Sequence, residues 1–363
     1  MYGQKNIAIF LDGTWNKQDC MINKEKNTNV VKMYKFVAEK YHGYQNQIAL
    51  YDAGVGSDGT YLSKIVGGTT GAGISKNIIE AYGTLSKYFE PGDNIFIFGF
   101  SRGAYTARSL AGLIRNCGVI RKDEILRCPA RATYAYDFYK DTDPAKKPDS
   151  KEAMDFIRNY SHSTDVHFLG VWDTVGALGL PLGFMDDEDE GFHRFHDTKL
   201  STHVKNAFQA LAIDEFRESF KPCLWTTDTD NRVQRVEQKW FLGAHSDVGG
   251  GYEDDDRLAD ISLKWMAEKA YECGLNLNVD PTSDLGIEEN AHLGKLHDSY
   301  EDFYQNPFVR LGKIFSPRTP RYSVCEGNCT FHESVLSRIK DDVSYKPFDR
   351  GREETFPYFS SQI

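Results

Sequence analysis

Apolar runs of strand length recur along the chain and alternate with stretches of helical periodicity. Residues 5–11 (KNIAIFL), 47–51 (QIALY), Ile95 to Phe98 and Val166 to Trp172 (VHFLGVW) are almost unbroken apolar segments, and Val236 to Leu242 makes a fifth segment of strand length. Such runs predict strands buried on both faces of a mainly parallel sheet. Val30, Tyr34, Val37 and Tyr41 fall on one helical face, with Thr28 or Asn29 as cap. Further helices are predicted over Ser75 to Phe89, after residue 101, over 203–213 and over 258–273. Strand and helix in alternation define an α/β fold. Residues 1–363 read as one domain. Within it, 122–161 is helical and amphipathic, broken by the Asp/Pro/Lys-rich piece 141–150, and is expected as an insertion over the active site, in the manner of a lid. Residues 280–363 read as a loop-rich C-terminal extension.

The stretch from Asn94 to Leu113 carries the chemistry. Its apolar run ends in Gly99-Phe100-Ser101-Arg102-Gly103, after which an Ala-, Arg- and Leu-rich helix begins. A serine at such a strand-to-helix turn is held in a strained conformation, and glycines two before and two after it avoid collisions with strand and helix. Ser101 is therefore the candidate nucleophile. The plainer alternative is a serine that only caps the helix.

Two further strand ends offer partners. Val166–Trp172 empties into Asp173, and Val236–Leu242 into the glycine-rich loop holding His245. Ligand sites of parallel sheets lie outside the carboxyl ends of the strands. The order Ser101, Asp173, His245 is the chain order of α/β hydrolases. His332 is the rival histidine. The amide of Arg102 is one expected oxyanion donor, and that of Gly13 or Thr14, in the turn after the first strand, is the other. Asp12 is alternatively a turn residue, and Asp247 orients its loop or, with Asp12, holds a cation. Other readings are a catalytically silent binding module with this fold and a metal-dependent hydrolase using Asp12, Asp173 and Asp247.

Composition narrows the choice. A formal charge of −10 argues against a general nucleic-acid binder. Seven scattered cysteines suit a reducing compartment rather than a disulfide framework. Cys325, Cys329 and His332 lack a fourth metal ligand at suitable spacing. The acidic run 186–190, near His193 and His196, reads as a solvated loop, with calcium binding as the alternative. The glycine-rich pieces 54–56 and 66–73 lack the Gly-Lys-Ser/Thr ending of a phosphate loop and read as cleft wall. No cofactor and no metal are expected. The N-terminus lacks a signal-peptide core, and no apolar run reaches the length of a membrane span. The expectation is a soluble protein made in the cytoplasm, with signal-independent export open.

IAIFLDGTWN, FGFSRGAYTAR, GVWDTVGALG and WFLGAHSDVGGGY together resemble the α/β-hydrolase domain of the type VI secretion phospholipase effectors, a family long catalogued as a domain of unknown function. The resemblance spans residues 7 to about 270. It implies a Ser-Asp-His triad falling on Ser101, Asp173 and His245, and hydrolysis of phospholipid acyl esters. It also implies a lipid or other ester substrate, transient contact with a membrane surface, and an immunity or secretion partner. The large additional membrane-contacting domain of the longer effectors is not expected in a chain of this length. Only two strands precede the nucleophile strand, so the sheet is expected to be shortened at that edge.

Overall fold

The computed structural model describes residues 4–13, 27–38, 46–53, 71–175, 200–217, 220–226, 234–304 and 329–347. Among the described residues, seven strands form one parallel sheet: β1 (Asn6–Leu11), β2 (Gln47–Asp52), β3 (Asn94–Phe100), β6 (Val166–Trp172), β7 (Val204–Ala212), β8 (Arg235–Phe241) and β9 (Cys329–Phe331), in the order β2-β1-β3-β6-β7-β8-β9. Strands β4 (Val119–Ile120) and β5 (Ser161–His162) form a separate antiparallel pair. Because β1 and β2 precede β3 and lie together on one side of it, β3 is third both along the chain and across the sheet.

Successive side chains of a strand point to opposite faces, and here each face has its own core. Ile7, Ile9, Leu11, Ile95, Ile97, Leu169 and Val171 pack on one side under α2 (Gly71–Tyr88) and α3 (Arg102–Cys117). On the other side, Phe10, Phe98, Phe168 and Phe208 form a ladder across four neighbouring strands, with centroids 4.9, 5.1 and 5.2 Å apart. The helices α1 (Asn29–Ala38) and α8 (Arg257–Glu272) cover that face. Burying each such ring stabilises the fold by about 2–3 kcal/mol.

The helix predicted over 203–213 is instead strand β7. Its Ala- and Leu-rich sequence has good helix propensity, but β6 and β8 offer parallel ladders on both edges. Val204 and Ala207 join one core, and Phe208 and Ala210 the other. Burial on both faces overrides the local preference. Strand β9 also escapes sequence reading, being three residues that only extend an existing sheet edge.

Residues 122–160 form α4 (Lys122–Arg127), α5 (Arg131–Lys140) and α6 (Lys151–Tyr160), which pack against α2 and α3. Tyr136 and Ser75 share a hydroxyl hydrogen bond of 2.8 Å, and Ala132, Tyr136, Phe138 and Phe156 enter the α2/α3 core. After β8 come α7 (His245–Gly249) and α8, then a C-terminal segment with α9 (Ser299–Tyr304), β9 and α10 (Glu333–Asp341). Thr14, the glycine-rich residues 54–56 and 66–70, the acidic run 186–190, His193, His196 and Cys325 lie outside the described residues.

Candidate active site

The turn between β3 and α3 fixes the first group. Ser101 has φ 57° and ψ −122°, a conformation that L-residues rarely adopt. A Cβ at Gly103 would run into the carbonyl of Leu11, and one at Gly99 into the backbone of Gly103. Both glycines are thus demanded by the close passage of strand, turn and helix. The Ser101 N–H donates to the carbonyl of Trp172 at 3.1 Å, which ties the turn to the residue before Asp173.

Asp173 is fully buried, with φ 36°, at the tip of β6. Its N–H donates to Ala210 at 2.7 Å, while its Oδ1 accepts the Ala212 N–H at 3.0 Å. The other oxygen, Oδ2, lies 2.6 Å from Nδ1 of His245. A carboxylate oxygen only accepts, so Nδ1 carries the proton and Nε2 presents its lone pair. His245 is buried, with its ring 4.6 Å from that of Phe100 and 5.0 Å from that of Phe220. Burial lowers its pKa below the ordinary imidazole value, and Asp173 only partly offsets this. The neutral imidazole is the form favoured here.

His332, the other histidine considered, turns to a different task. Its Nδ1 accepts the Ser334 N–H at 3.3 Å and caps α10, its ring stacks on Phe241, and burial pushes its pKa down to about 4.

Arg102 is the first residue of α3, where helical amides point out of the helix end. Burial lowers its guanidinium to about 10. The Gly13 backbone passes beside Ser101, since a Cβ built on Gly13 would touch the Ser101 Cβ at 3.5 Å. The Gly13 N–H donates to its neighbour's carboxylate, Asp12 Oδ1, at 2.7 Å. Asp12 Oδ2 in turn accepts from Thr28 at 2.7 Å and Tyr51 at 2.9 Å. Asp12 therefore locks the turn after β1.

The loop carrying His245 has a regular support that no sequence motif announced. Three successive amides each meet a different carboxylate. Gly243 donates to Asp214 Oδ2 at 2.9 Å, Ala244 to Asp247 Oδ2 at 2.8 Å, and His245 to Glu215 Oε2 at 3.2 Å. Gly243 has φ 94°, and any side chain there would strike Asp247. Glu215 is fully buried and takes a two-pronged contact from Arg217, at 2.8 and 2.7 Å. Asp12, Asp173 and Asp247 thus face three separate sets of partners. Among the described residues, no group of three or more His, Cys, Asp or Glu side chains is placed to hold a metal ion.

Parallel sheet, strained turn and the acid–imidazole pair beside it place the chain in the α/β-hydrolase class. Within that class it belongs to the type VI secretion phospholipase effector Tle1-like catalytic domain family, whose model matches residues 5–269. An uncharacterized protein of Saccharomyces cerevisiae is 28% identical over 244 residues, which cover 61% of this chain and 33% of that relative. The chain therefore spans about a third of the length of the curated relative it matches. Among solved structures, an uncharacterized protein from Pseudomonas aeruginosa aligns at 17% identity and a TM-score of 0.48, over 86% of this chain and 51% of that one. The Tle1 effector bound to the VgrG spike aligns at 17% identity and 0.46, over 89% and 82%. An esterase of Thermogutta terrifontis aligns at 13% identity and 0.38, over 76% and 85%. Among the described residues, no helix is long and apolar enough to cross a membrane.

Proposed function

We propose that the chain is a serine hydrolase that cleaves carboxylic esters, with acyl esters of phospholipids as its substrate class. One observation carries the reading: Asp173 holds Nδ1 of a buried His245, on the sheet edge where Ser101 occupies its strained turn. The membership of a phospholipase effector family supports the lipid substrate.

In this reading His245 Nε2 takes the Ser101 hydroxyl proton as Oγ attacks the acyl carbon. The same proton passes to the leaving alcohol as the carbon–oxygen ester bond breaks. Water then enters by the same route, and its attack releases the acid and restores Ser101. Asp173 fixes the tautomer and stabilises the imidazolium that forms. The Arg102 amide supplies one oxyanion donor. The Gly13 amide faces Asp12, which shifts the second role toward Thr14, the other candidate in that turn. Each such donor lowers the barrier by about 3 kcal/mol. The same reading includes a transient contact with a membrane surface and an immunity or secretion partner, as the family suggests.

The test is labelling of the purified chain with a fluorophosphonate probe, alongside Ser101→Ala and His245→Ala. Labelling that needs both residues supports the reading, and fatty-acid release from phospholipid vesicles then defines the substrate. A folded wild-type chain that does not label favours the silent binding module or the metal-dependent mechanism.

A further inference from the structure

The three carboxylates that receive the amides of residues 243–245 are each held from behind. Tyr345 donates its hydroxyl to Asp214 Oδ2 at 2.9 Å. His297 approaches Asp247 Oδ1 through Nδ1 at 2.6 Å and donates its backbone N–H to Oδ2 at 3.1 Å. Ser299 donates its hydroxyl to Glu215 Oε2 at 2.7 Å. The pattern is the same three times: amide of the histidine loop, carboxylate, side chain from the C-terminal segment. Asp214 and Glu215 follow β7, and Asp247 belongs to α7, so the supports come from different elements.

All three outer side chains lie beyond residue 269, where the match to the family's catalytic domain ends. His297, Ser299 and Tyr345 are all buried. His297 also meets Asp254 through Nε2 at 3.0 Å, which anchors it on its far side. Loops between a strand and a short helix are ordinarily weak in position. This one is fixed amide by amide.

We infer that the C-terminal segment is a working part of the active site, with Tyr345, His297 and Ser299 acting as positioning residues that set the His245 loop through Asp214, Asp247 and Glu215. The inference rests on the proposed role of His245 as the base. A misplacement of an ångström in a catalytic group is enough to slow a reaction by about 100-fold, so loosening this loop acts on turnover rather than on substrate binding.

The test uses the full chain and the variants Ser299→Ala, Ser299→Thr, His297→Asn and Tyr345→Phe, with Asp341→Ala as a control that removes the His292 contact on the surface of the same segment. Two readings are taken. Hydrogen exchange at residues 243–245 reports the loop whether or not the protein is a hydrolase, and the fluorophosphonate labelling rate reports the chemistry. Ser299→Ala should speed exchange at these amides and slow labelling by about 10-fold or more, with Ser299→Thr restoring both and the control unchanged. Exchange unaltered in all three outer positions overturns the inference. So does faster exchange with an unchanged labelling rate, which makes the contacts structural only. If the wild type itself fails to label, the serine-hydrolase reading falls, and with it the working role claimed for the segment.

Discussion

His245 Nδ1 lies 2.6 Å from Asp173 Oδ2 in a site where the imidazole has almost no contact with water. Burial disfavours the charged ring more than the carboxylate favours it, so the folded pKa falls below the ordinary value of 6.5. The unfolded chain therefore binds more protons than the folded one as pH drops past that value, and His245 costs stability on the acid side. As a base, the same residue works only above its folded pKa. The rate of fluorophosphonate labelling, followed against pH, should have its acid limb at a midpoint below 6.5. A midpoint above that value would mean that the carboxylate, not burial, governs the ring.

Asp173→Asn should leave the fold intact and slow turnover by about 10⁴-fold. The amide oxygen can still accept the Ala212 N–H, which preserves the strand tip. The amide nitrogen then faces Nδ1, which must become an acceptor. The proton moves to Nε2, and the base is lost. Steady-state kinetics together with thermal unfolding separate this outcome from simple misfolding.

Ser101→Gly should be inactive yet more stable. A side chain at φ 57° carries backbone strain on the order of 1–3 kcal/mol. Glycine removes it and loses part of the gain to its freer unfolded chain, leaving about 1 kcal/mol. Denaturant midpoints of wild type, Ser101→Ala and Ser101→Gly test this, since alanine should track the wild type. Equal midpoints for all three would mean that the turn is relaxed in solution.

Much of this site was legible in the sequence because Ser101, Asp173 and His245 each end a recognisable apolar run, and parallel strands bring their ends to one edge. The two glycines that flank the turn, Gly99 and Gly103, were legible for the same local reason. β7 was not, because a strand buried on both faces looks like a buried helix when its residues are Ala, Leu and Gln. Its other reading needed the neighbours that only the sheet supplies. Asp214, Glu215, His297, Ser299 and Tyr345 were also invisible. Their partners lie between 29 and 131 positions away along the chain, and single acids, hydroxyls and a histidine in loops carry no periodic signal. Asp247, expected either to orient its loop or to share a cation with Asp12, contacts Ala244 and His297.

Asp12 offers the sharpest separation between the ester-hydrolase mechanism and one that runs through a bound cation. Its carboxylate collects the Gly13 amide and the hydroxyls of Thr28 and Tyr51, so its evident work is to hold the turn beside Ser101. Asp12→Ala takes this acceptor from all three donors and should cost about 2 kcal/mol. Without that anchor the turn drifts from the developing oxyanion, and labelling should slow by about 10-fold. Asp12→Asn should lie much closer to wild type, because its oxygen can still accept from Gly13 while the two hydroxyls rotate to accept from its amide nitrogen. A cation ligand behaves otherwise: asparagine would then be nearly as damaging as alanine, and chelation would depress the wild-type activity while sparing the variants. Measuring labelling and ester turnover for the three proteins, with and without chelator, decides between the two.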